Sequence, residues 1–594
     1  MRQFTRSNRQ RDGHVGRGFT FPGTKSVFAK VLLSAGLIFA VFGLAMATAI
    51  ERPVAASAAV RSAPPRLSHP DAACAQCHRE IYDRYQQTSM ARGSGLAREG
   101  SLEGQLRHAA SGVTYKVFAR NDALWMSYDR PRDVKRQETS AELHGERQLL
   151  YFIGSGHRGR TYLYQVDGQW FELPINFYGR REIWDMAPNF GSTTSMPASL
   201  PVDANCLHCH ASGVQTALPM AKNRWAGAPF EQGGIGCSGC HGDASKHLAD
   251  GGHGRILNPD KLASAERDDV CLQCHLEGDV VVYRPGRSLA QFRPGDRLND
   301  DAVYFVRASA EAGGRRATSQ YEALLRSACK AGSGDRLTCT TCHDPHATPA
   351  PEQRVAFFRA RCLSCHNSAN IALQHHPEQQ DCAGCHMPSR ATTDISHEQV
   401  TDHNIQRLPQ MSASHRVGHL SFGEALKPVG SAVAGDRELG LAYAQMAERG
   451  DREAGAKALA LLSKAELNGP SDAPLHAQLG YLAQVSGQRD RAAAEYRLAL
   501  EQNGFEPSAL GNLAVLEASA GRAGSAVSLL RHLVDADPAQ TAAGLNLVYI
   551  VCRVGMKQQA AEVLHQVEAL NPDDPQVRMF LDKGMYAGQR CDLH

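Results

Sequence analysis

What this chain lacks first is a charge imbalance. Its formal net charge is +3 over 594 residues. Arg2, Arg6, Arg9, Arg11, Arg17, Lys25 and Lys30 against Asp12 concentrate +6 ahead of Val31, leaving −3 for the remainder. Nothing in that balance points to nucleic acid as a partner. Compositional bias is absent as well: 42% of residues are apolar and 21% charged, which is ordinary for a soluble protein. The length suggests roughly two to four domains. Charge is also missing from Val31 to Ile50, an apolar run directly behind the basic stretch. The run is long for a signal-peptide core and just long enough to span a bilayer. Small-x-small sites follow at Ala45-Met46-Ala47 and Ala56-Ser57-Ala58. A cleaved signal and a retained inner-membrane anchor both fit, whereas a buried soluble helix does not explain such asymmetric flanks. Residues 1–60 are therefore read as leader and linker, the Ala/Pro/Ser-rich linker running over 51–70. On either reading the rest of the chain is expected outside the cytoplasm, in a periplasm.

Cysteine is abundant instead, and patterned. Of 17 cysteines, fourteen fall into seven Cys-x-x-Cys-His motifs. These are Cys74/Cys77/His78, Cys206/Cys209/His210, Cys237/Cys240/His241, Cys271/Cys274/His275, Cys339/Cys342/His343, Cys362/Cys365/His366 and Cys382/Cys385/His386. Two thiols three positions apart reach the two vinyl groups of one porphyrin, and the adjoining histidine supplies the proximal nitrogen to its iron. Half a zinc site or a redox disulfide would use Cys-x-x-Cys, but neither demands the histidine. All seven motifs have it, so seven covalently bound haem c groups are expected. From the second motif onward the motifs open at Cys206, Cys237, Cys271, Cys339, Cys362 and Cys382. Segments so short cannot build a core for each haem, so the haems must pack on one another and form an electron conduit. Of the remaining three cysteines, Cys552 reads as a buried apolar residue. A disulfide between Cys329 and Cys591 is compatible with the sequence but not arguable from spacing.

A carrier haem takes two protein ligands, whereas a catalytic one keeps a position open. Nineteen histidines lie outside the proximal seven, enough to ligate every iron twice. His247, six positions after His241, is the first candidate. His346 is the second; it stands too near His343 for the same iron and is expected to serve a neighbour. His157, His397 and His403 follow, and His208, His375, His376, His253 and His108 are weaker, a surface or hydrogen-bonding role being at least as good for His108 and His253. The first motif has no histidine close behind it. Met90 is a candidate there, weighed against ordinary packing, and His69 is another. If neither binds, that haem is open to substrate.

The predicted fold class is α+β and multidomain. Residues 61–205 carry the first haem and a β-rich insert, with strand-like runs at 113–119, 149–154, 160–166 and 169–179. Residues 206–420 hold six haems, with one strand-like insert at 280–286. From about Asp436 the chain turns Ala- and Leu-rich with helical periodicity. Leu513-Ala514, Ala526, Leu530 and Pro538 recur one step later as Leu547-Val548, Ala560, Leu564 and Pro572, and Leu479-Gly480, Ala492 and Tyr496 stand one step earlier. That step is the tetratricopeptide period of about 34 residues. The register across three units favours a repeat superhelix over 430–580 rather than an irregular helical bundle, with a more degenerate unit at 436–470.

Several blocks resemble a known family. They are Ile235-Gly-Cys-Ser-Gly-Cys-His-Gly-Asp-Ala-Ser-Lys-His247, Leu337-Thr-Cys-Thr-Thr-Cys-His-Asp-Pro-His346, Cys385-His-Met-Pro388, Thr401-Asp-His403, Gly154-Ser-Gly-His-Arg-Gly-Arg-Thr-Tyr162 and Leu173-Pro174. Together the chain resembles, over roughly 70–575, bacterial multihaem c-type cytochromes that end in a tetratricopeptide array. The resemblance implies periplasmic electron transfer through mostly bis-histidine haems, with His157, His247, His346 and His403 as distal ligands. It departs at the first motif, where relatives often have Trp and Ser-x-His and this chain has Tyr85 and Ser89-Met90. Two functions are weighed: an electron relay whose repeats dock redox protein partners, and a multihaem reductase of a small oxyanion or nitrogen compound with one open haem. No motif ends in lysine, the mark of the catalytic haem in many nitrite reductases, which favours the relay over the enzyme.

Overall fold

The computed structural model describes residues 67–131, 142–308, 316–366, 380–406, 425–586, 588–591 and 593. The leader over 1–60, His375 and His376 lie outside the described residues. Among the described residues no helix is long and apolar enough to cross a membrane.

An antiparallel sheet forms the β-rich part, from β1 (Ser94–Leu96), β2 (Gly104–Arg107), β3 (Thr114–Arg120), β4 (Ala123–Arg130), β5 (Leu143–Ile153), β6 (Gly159–Val166), β7 (Gln169–Glu172), β8 (Ile175–Tyr178), β9 (Ile183–Met186) and β10 (Leu200–Pro201). The order is β10-β7-β6-β5-β4-β3-β2, with β1 on β5 and β8 between β6 and β9. Alternation sets the faces: Tyr115 and Val117 on β3, and Leu124, Met126 and Tyr128 on β4, point into one core. Asn121 and Asp122, both at positive φ, make the two-residue turn that matches the twist of the hairpin they join.

The motif region consists of short helices: α1 (Arg79–Tyr85), α2 (Ala204–His208), α3 (Ser238–His241), α4 (Ser245–Ala249), α5 (Ser264–His275), α6 (Gln320–Leu325), α7 (Ala328–Ser333), α8 (Cys339–Cys342), α9 (Arg354–Leu363) and α10 (Cys382–His386). Small sheets pin them: β11 (Ala211–Val214) with β12 (Phe230–Gly233), β13 (Val280–Tyr283) with β14 (Ala302–Arg307) and β17 (Leu426–Pro428), and β15 (Ser389–Ala391) with β16 (Gln399–Thr401).

The repeats follow as α11 (Asp436–Glu448), α12 (Arg452–Asn468), α13 (Ala473–Val485), α14 (Arg489–Gln502), α15 (Pro507–Ser519), α16 (Ala523–Ala536), α17 (Thr541–Arg553), α18 (Lys557–Leu570) and α19 (Pro575–Lys583). A final hairpin pairs β18 (Met585–Tyr586) with β19 (Gln589–Arg590). Gly487, Gly521 and Gly555, one period apart, take the positive φ that turns each helix pair. Gly480 lies against Tyr496, whose ring would sit 2.6 Å from any added Cβ, so the small/large pattern of the sequence is a packing contact.

The segments share cores rather than standing apart. Leu207, Ala211 and Phe230 pack with Leu96, Tyr151 and Trp170. Val280, Val282 and Phe305 pack with Leu441, Ala442 and Met446 of the first repeat helix. At the other end of the array Leu570 joins the core of the large sheet, and Asp573 forms a buried two-point ion pair with Arg130 at 2.5 and 2.7 Å. The array is thus fastened at both ends to the motif-bearing body.

One cysteine expectation is corrected. Cys552 is not a plain apolar residue: it is disulfide-bonded to Cys591, 39 residues along, while Cys329 is free. The pairing follows from the hairpin folding back onto α17, which sequence spacing does not reveal. Closing a loop of that length is worth about 4 kcal/mol in the chain-entropy account. Cys591→Ser is expected to lower repeat stability by about that much at most, read as the far-ultraviolet denaturation midpoint.

Candidate haem-binding site

Each motif occupies one helical turn, because residues three apart share a helix face and both thiols must meet one edge of a flat ligand. Aspartates set the turns. Asp203 accepts from the backbone N–H of Cys206 and Asp381 from that of Gly384, as ordinary N-caps. Asp71 and Asp268 work across motifs. Asp71, three positions before Cys74, accepts from the Cys237 N–H at 3.1 Å, and Asp268, three before Cys271, accepts from the Cys339 N–H at 3.0 Å. Sequence reading missed both, although the signal was present: aspartate recurs three positions before Cys74, Cys206 and Cys271.

These caps bring motifs together. Sγ atoms of Cys74 and Cys237 lie within 4.8 Å. The thiols of Cys209 and Cys274 adjoin, as do those of Cys271 and Cys339, and of Cys362 and Cys382. Cys240 faces Cys271, and Cys342 faces Cys365. Numbered along the chain, the motifs therefore run 1-3-4-5-6-7 in space, with motif 2 beside motif 4. Loss of solvation pushes the thiols of Cys240 and Cys362 up to about 11. A redox Cys-x-x-Cys needs a depressed value, so the disulfide-exchange alternative does not fit these two.

Exposure is greatest toward the ends of this row. Cys77, Cys206, Cys365 and Cys385 are exposed, and so are His78 and His366. The reason is position. Cys77 and His78 belong to motif 1, which has a neighbouring motif on one side only. Cys385 belongs to motif 7 at the opposite end, Cys365 and His366 to motif 6 next to it, and Cys206 to motif 2, off the row. His366 differs from His78 in a second way: no histidine ring faces it among the described residues. By contrast His210 of motif 2 and His275 of motif 4 are desolvated enough to lie below the ordinary imidazole range.

The histidines give the decisive geometry. His78 faces His247 with ring centres 6.4 Å apart and planes 13° from parallel. His241 faces His346 at 6.1 Å and 7°, and His343 faces His403 at 6.2 Å and 26°. With metal–imidazole bonds of about 2.0–2.1 Å, and about 1.1 Å from nitrogen to ring centre, imidazoles on opposite sides of one metal hold their centres about 6.2–6.4 Å apart. Second contacts orient the rings: Nδ1 of His241 meets the Leu257 carbonyl at 2.9 Å, that of His247 the Gly254 carbonyl at 2.8 Å, and that of His403 the Thr401 carbonyl at 3.0 Å. An Nδ1–H donating to a carbonyl leaves the lone pair on Nε2, the tautomer a metal ligand needs. Loss of solvation holds His343 down at about 4 and lowers His346 and His403, which keeps them neutral at ordinary pH. The donor set and spacing fit haem iron.

The other candidates separate. Nε2 of His397 is engaged by Asp185 at 2.6 Å, which takes the nitrogen a ligand would use. His157 is exposed in its loop, with no histidine ring opposite it among the described residues. Met90 is half-buried, and its backbone carbonyl accepts from Ile235 N at 2.9 Å, tying motif 1 to motif 3; the ring facing His78 is that of His247, not the thioether of Met90 or the exposed His69. His108 is a buried, hydrogen-bonded histidine, Nδ1 to Ser111 and Nε2 to the Gly191 carbonyl. His208 binds Gln273, and His253 is exposed. Nδ1 of His386 meets the Gln406 carbonyl at 2.6 Å.

Comparison with known proteins agrees in part. A family model described as a doubled CXXCH motif matches residues 331–371, which span the fifth and sixth motifs. A tetratricopeptide repeat model matches residues 517–583. The chain carries paired CXXCH motifs and a tetratricopeptide array. No curated protein matches. Among solved structures, MamA (AMB-1) is 19% identical, covering 24% of this chain and 74% of its own, with a TM-score of 0.21. YrrB, described as a TPR protein with an unusual peptide-binding site, is 20% identical over 25% of this chain and 73% of its own, at 0.22. A tetratricopeptide repeat protein from Parabacteroides merdae is 19% identical over 23% and 54%, at 0.21.

Proposed function

We propose that this protein is an exported heptahaem c-type cytochrome that relays electrons between redox partners. Three histidine pairs at iron-spanning separation carry the reading. Haem iron supplies one-electron chemistry when bound. The chain's residues do the rest: His78 with His247, His241 with His346 and His343 with His403 would grip three irons from both faces, and the touching cysteines would bring porphyrin edges into near contact along the order 1-3-4-5-6-7. The exposed ends of that row, at Cys77 of motif 1 and Cys385 of motif 7, are where electrons would enter and leave. The reductase reading needs one open haem, and His247 standing opposite His78 disfavours the first haem in that role. The Cys552–Cys591 disulfide suits an oxidising compartment and agrees with the leader-like run at 31–50, which supports a periplasmic location.

The test is a haem count with a carbon monoxide spectrum. Protein made in a host with c-type maturation should give seven haems per chain by pyridine haemochrome. After dithionite, carbon monoxide should leave the haems of motifs 1, 3 and 5 unchanged. A count well short of seven, or carbon monoxide uptake by nearly every haem, would overturn the relay.

A further inference from the structure

The first helix of each repeat carries a half-open stripe at matching positions: Gln478, Tyr481 and Gln484 on α13, Asn512, Val515 and Ala518 on α15, and Asn546, Tyr549 and Cys552 on α17. Each set is displaced from the last by one repeat period. On the third set the stripe is covered by the chain itself. The Tyr586 hydroxyl donates to Asn546 Oδ1 at 3.0 Å, its ring lies 6.3 Å from that of Tyr549, and Cys591 is bonded to Cys552. The end of the array is already capped by α19, whose Val577 and Phe580 are buried in the repeat core, so the hairpin passes beyond the capping helix to reach α17. It is also weak alone, since β18 and β19 are two residues each and so short a hairpin is marginal in water.

We propose that the hairpin of β18 and β19, tied by Cys591, is a tethered occupant of the last step of this stripe, released when a dithiol reduces Cys552–Cys591, and that the freed step then takes an extended peptide segment bearing an aromatic side chain. The occupant shows the chemistry of the site: an aromatic hydroxyl given to a side-chain amide, over a tyrosine ring. In the release step the dithiol gives up two electrons and two protons and becomes a disulfide, and Cys552 and Cys591 each become a thiol. The inference does not depend on the haem reading, because nothing in the stripe touches a Cys-x-x-Cys-His motif.

The probe is a synthetic peptide of residues 585–594 with serine at the cysteine position, titrated calorimetrically into haem-loaded, full-length protein. The oxidised parent should not bind it. A double variant, Tyr586→Ala with Cys591→Ser, should bind it with one-to-one stoichiometry. Adding Asn546→Ala should weaken that binding about tenfold, the scale of one lost hydrogen bond. No binding by a double variant of unchanged helicity, or equal binding by the oxidised parent, overturns the proposal. If the double variant does not fold, hydrogen exchange of the parent before and after dithiothreitol decides. Faster exchange confined to 546–553 and 585–591 supports release, and unchanged exchange refutes it.

Discussion

Replacing His247 by alanine is expected to open one haem of the proposed seven to carbon monoxide. The reduced variant should gain, over the parent, a carbon monoxide difference signal of about one-seventh the full haem amplitude, with added imidazole restoring the parent spectrum. Met90→Leu should change nothing. The contrast rests on geometry: the His247 ring lies nearly parallel to that of His78 at 6.4 Å, with its Nδ1 held by the Gly254 carbonyl, whereas Met90 contributes a backbone carbonyl to the joint with Ile235. The reverse outcome, a spectral change in the methionine variant alone, would return the first haem to a Met ligand.

Removing the Asp573 carboxylate should be the most damaging single change outside the motifs. Arg130 and Asp573 are 6% and 5% exposed, and the Met196 N–H also donates to Asp573. Asp573→Ala strands a guanidinium beside Tyr115. A buried charge left without its partner costs about 3–5 kcal/mol. The urea midpoint followed at 222 nm should fall accordingly, and the paired change Arg130→Met with Asp573→Leu should recover most of the loss, because two well-packed apolar groups need no compensation. If the single variant loses less than about 1 kcal/mol, the ion pair is not what fastens the array to the sheet.

Much of the site is legible in the sequence because its chemistry is local. A thiol pair and a histidine within five positions form one helical turn wherever they stand, and the repeat period survives in sequence because each repeat buries the same positions. The strand runs at 113–119 and 160–166 lie in β3 and β6 for the same reason: alternation at period two is written residue by residue. Partners separated by long stretches are hidden. His247 stands out for its closeness to His241, yet the ring it faces belongs to His78. Nothing in the motif Cys362-Leu-Ser-Cys365-His366 distinguishes it from the others, yet it lies toward one end of the row and its histidine is open to solvent. Asp268 reads as an ordinary helix residue until α5 is placed against α8. Cys552 reads as apolar filling because only the return of the hairpin brings Cys591 to it. The array itself reads as a domain set apart, since nothing in Leu570 or Asp573 announces the sheet they pack on.

The facing histidines also bear on how such a chain is made. On the proposed assignment, His247 stands far downstream of His78, as His346 does of His241 and His403 of His343. A haem attached as its own motif emerges would wait for its second axial ligand until the second motif further on has been delivered. At synthesis rates of about 5–20 residues per second, the first iron would stand open for roughly 8–34 seconds. Through that interval it would be reactive toward oxygen and small ligands, and the nascent chain would need an escort or a quiet compartment. The same delay would let a ligand error at the first motif be rejected before the later haems are committed.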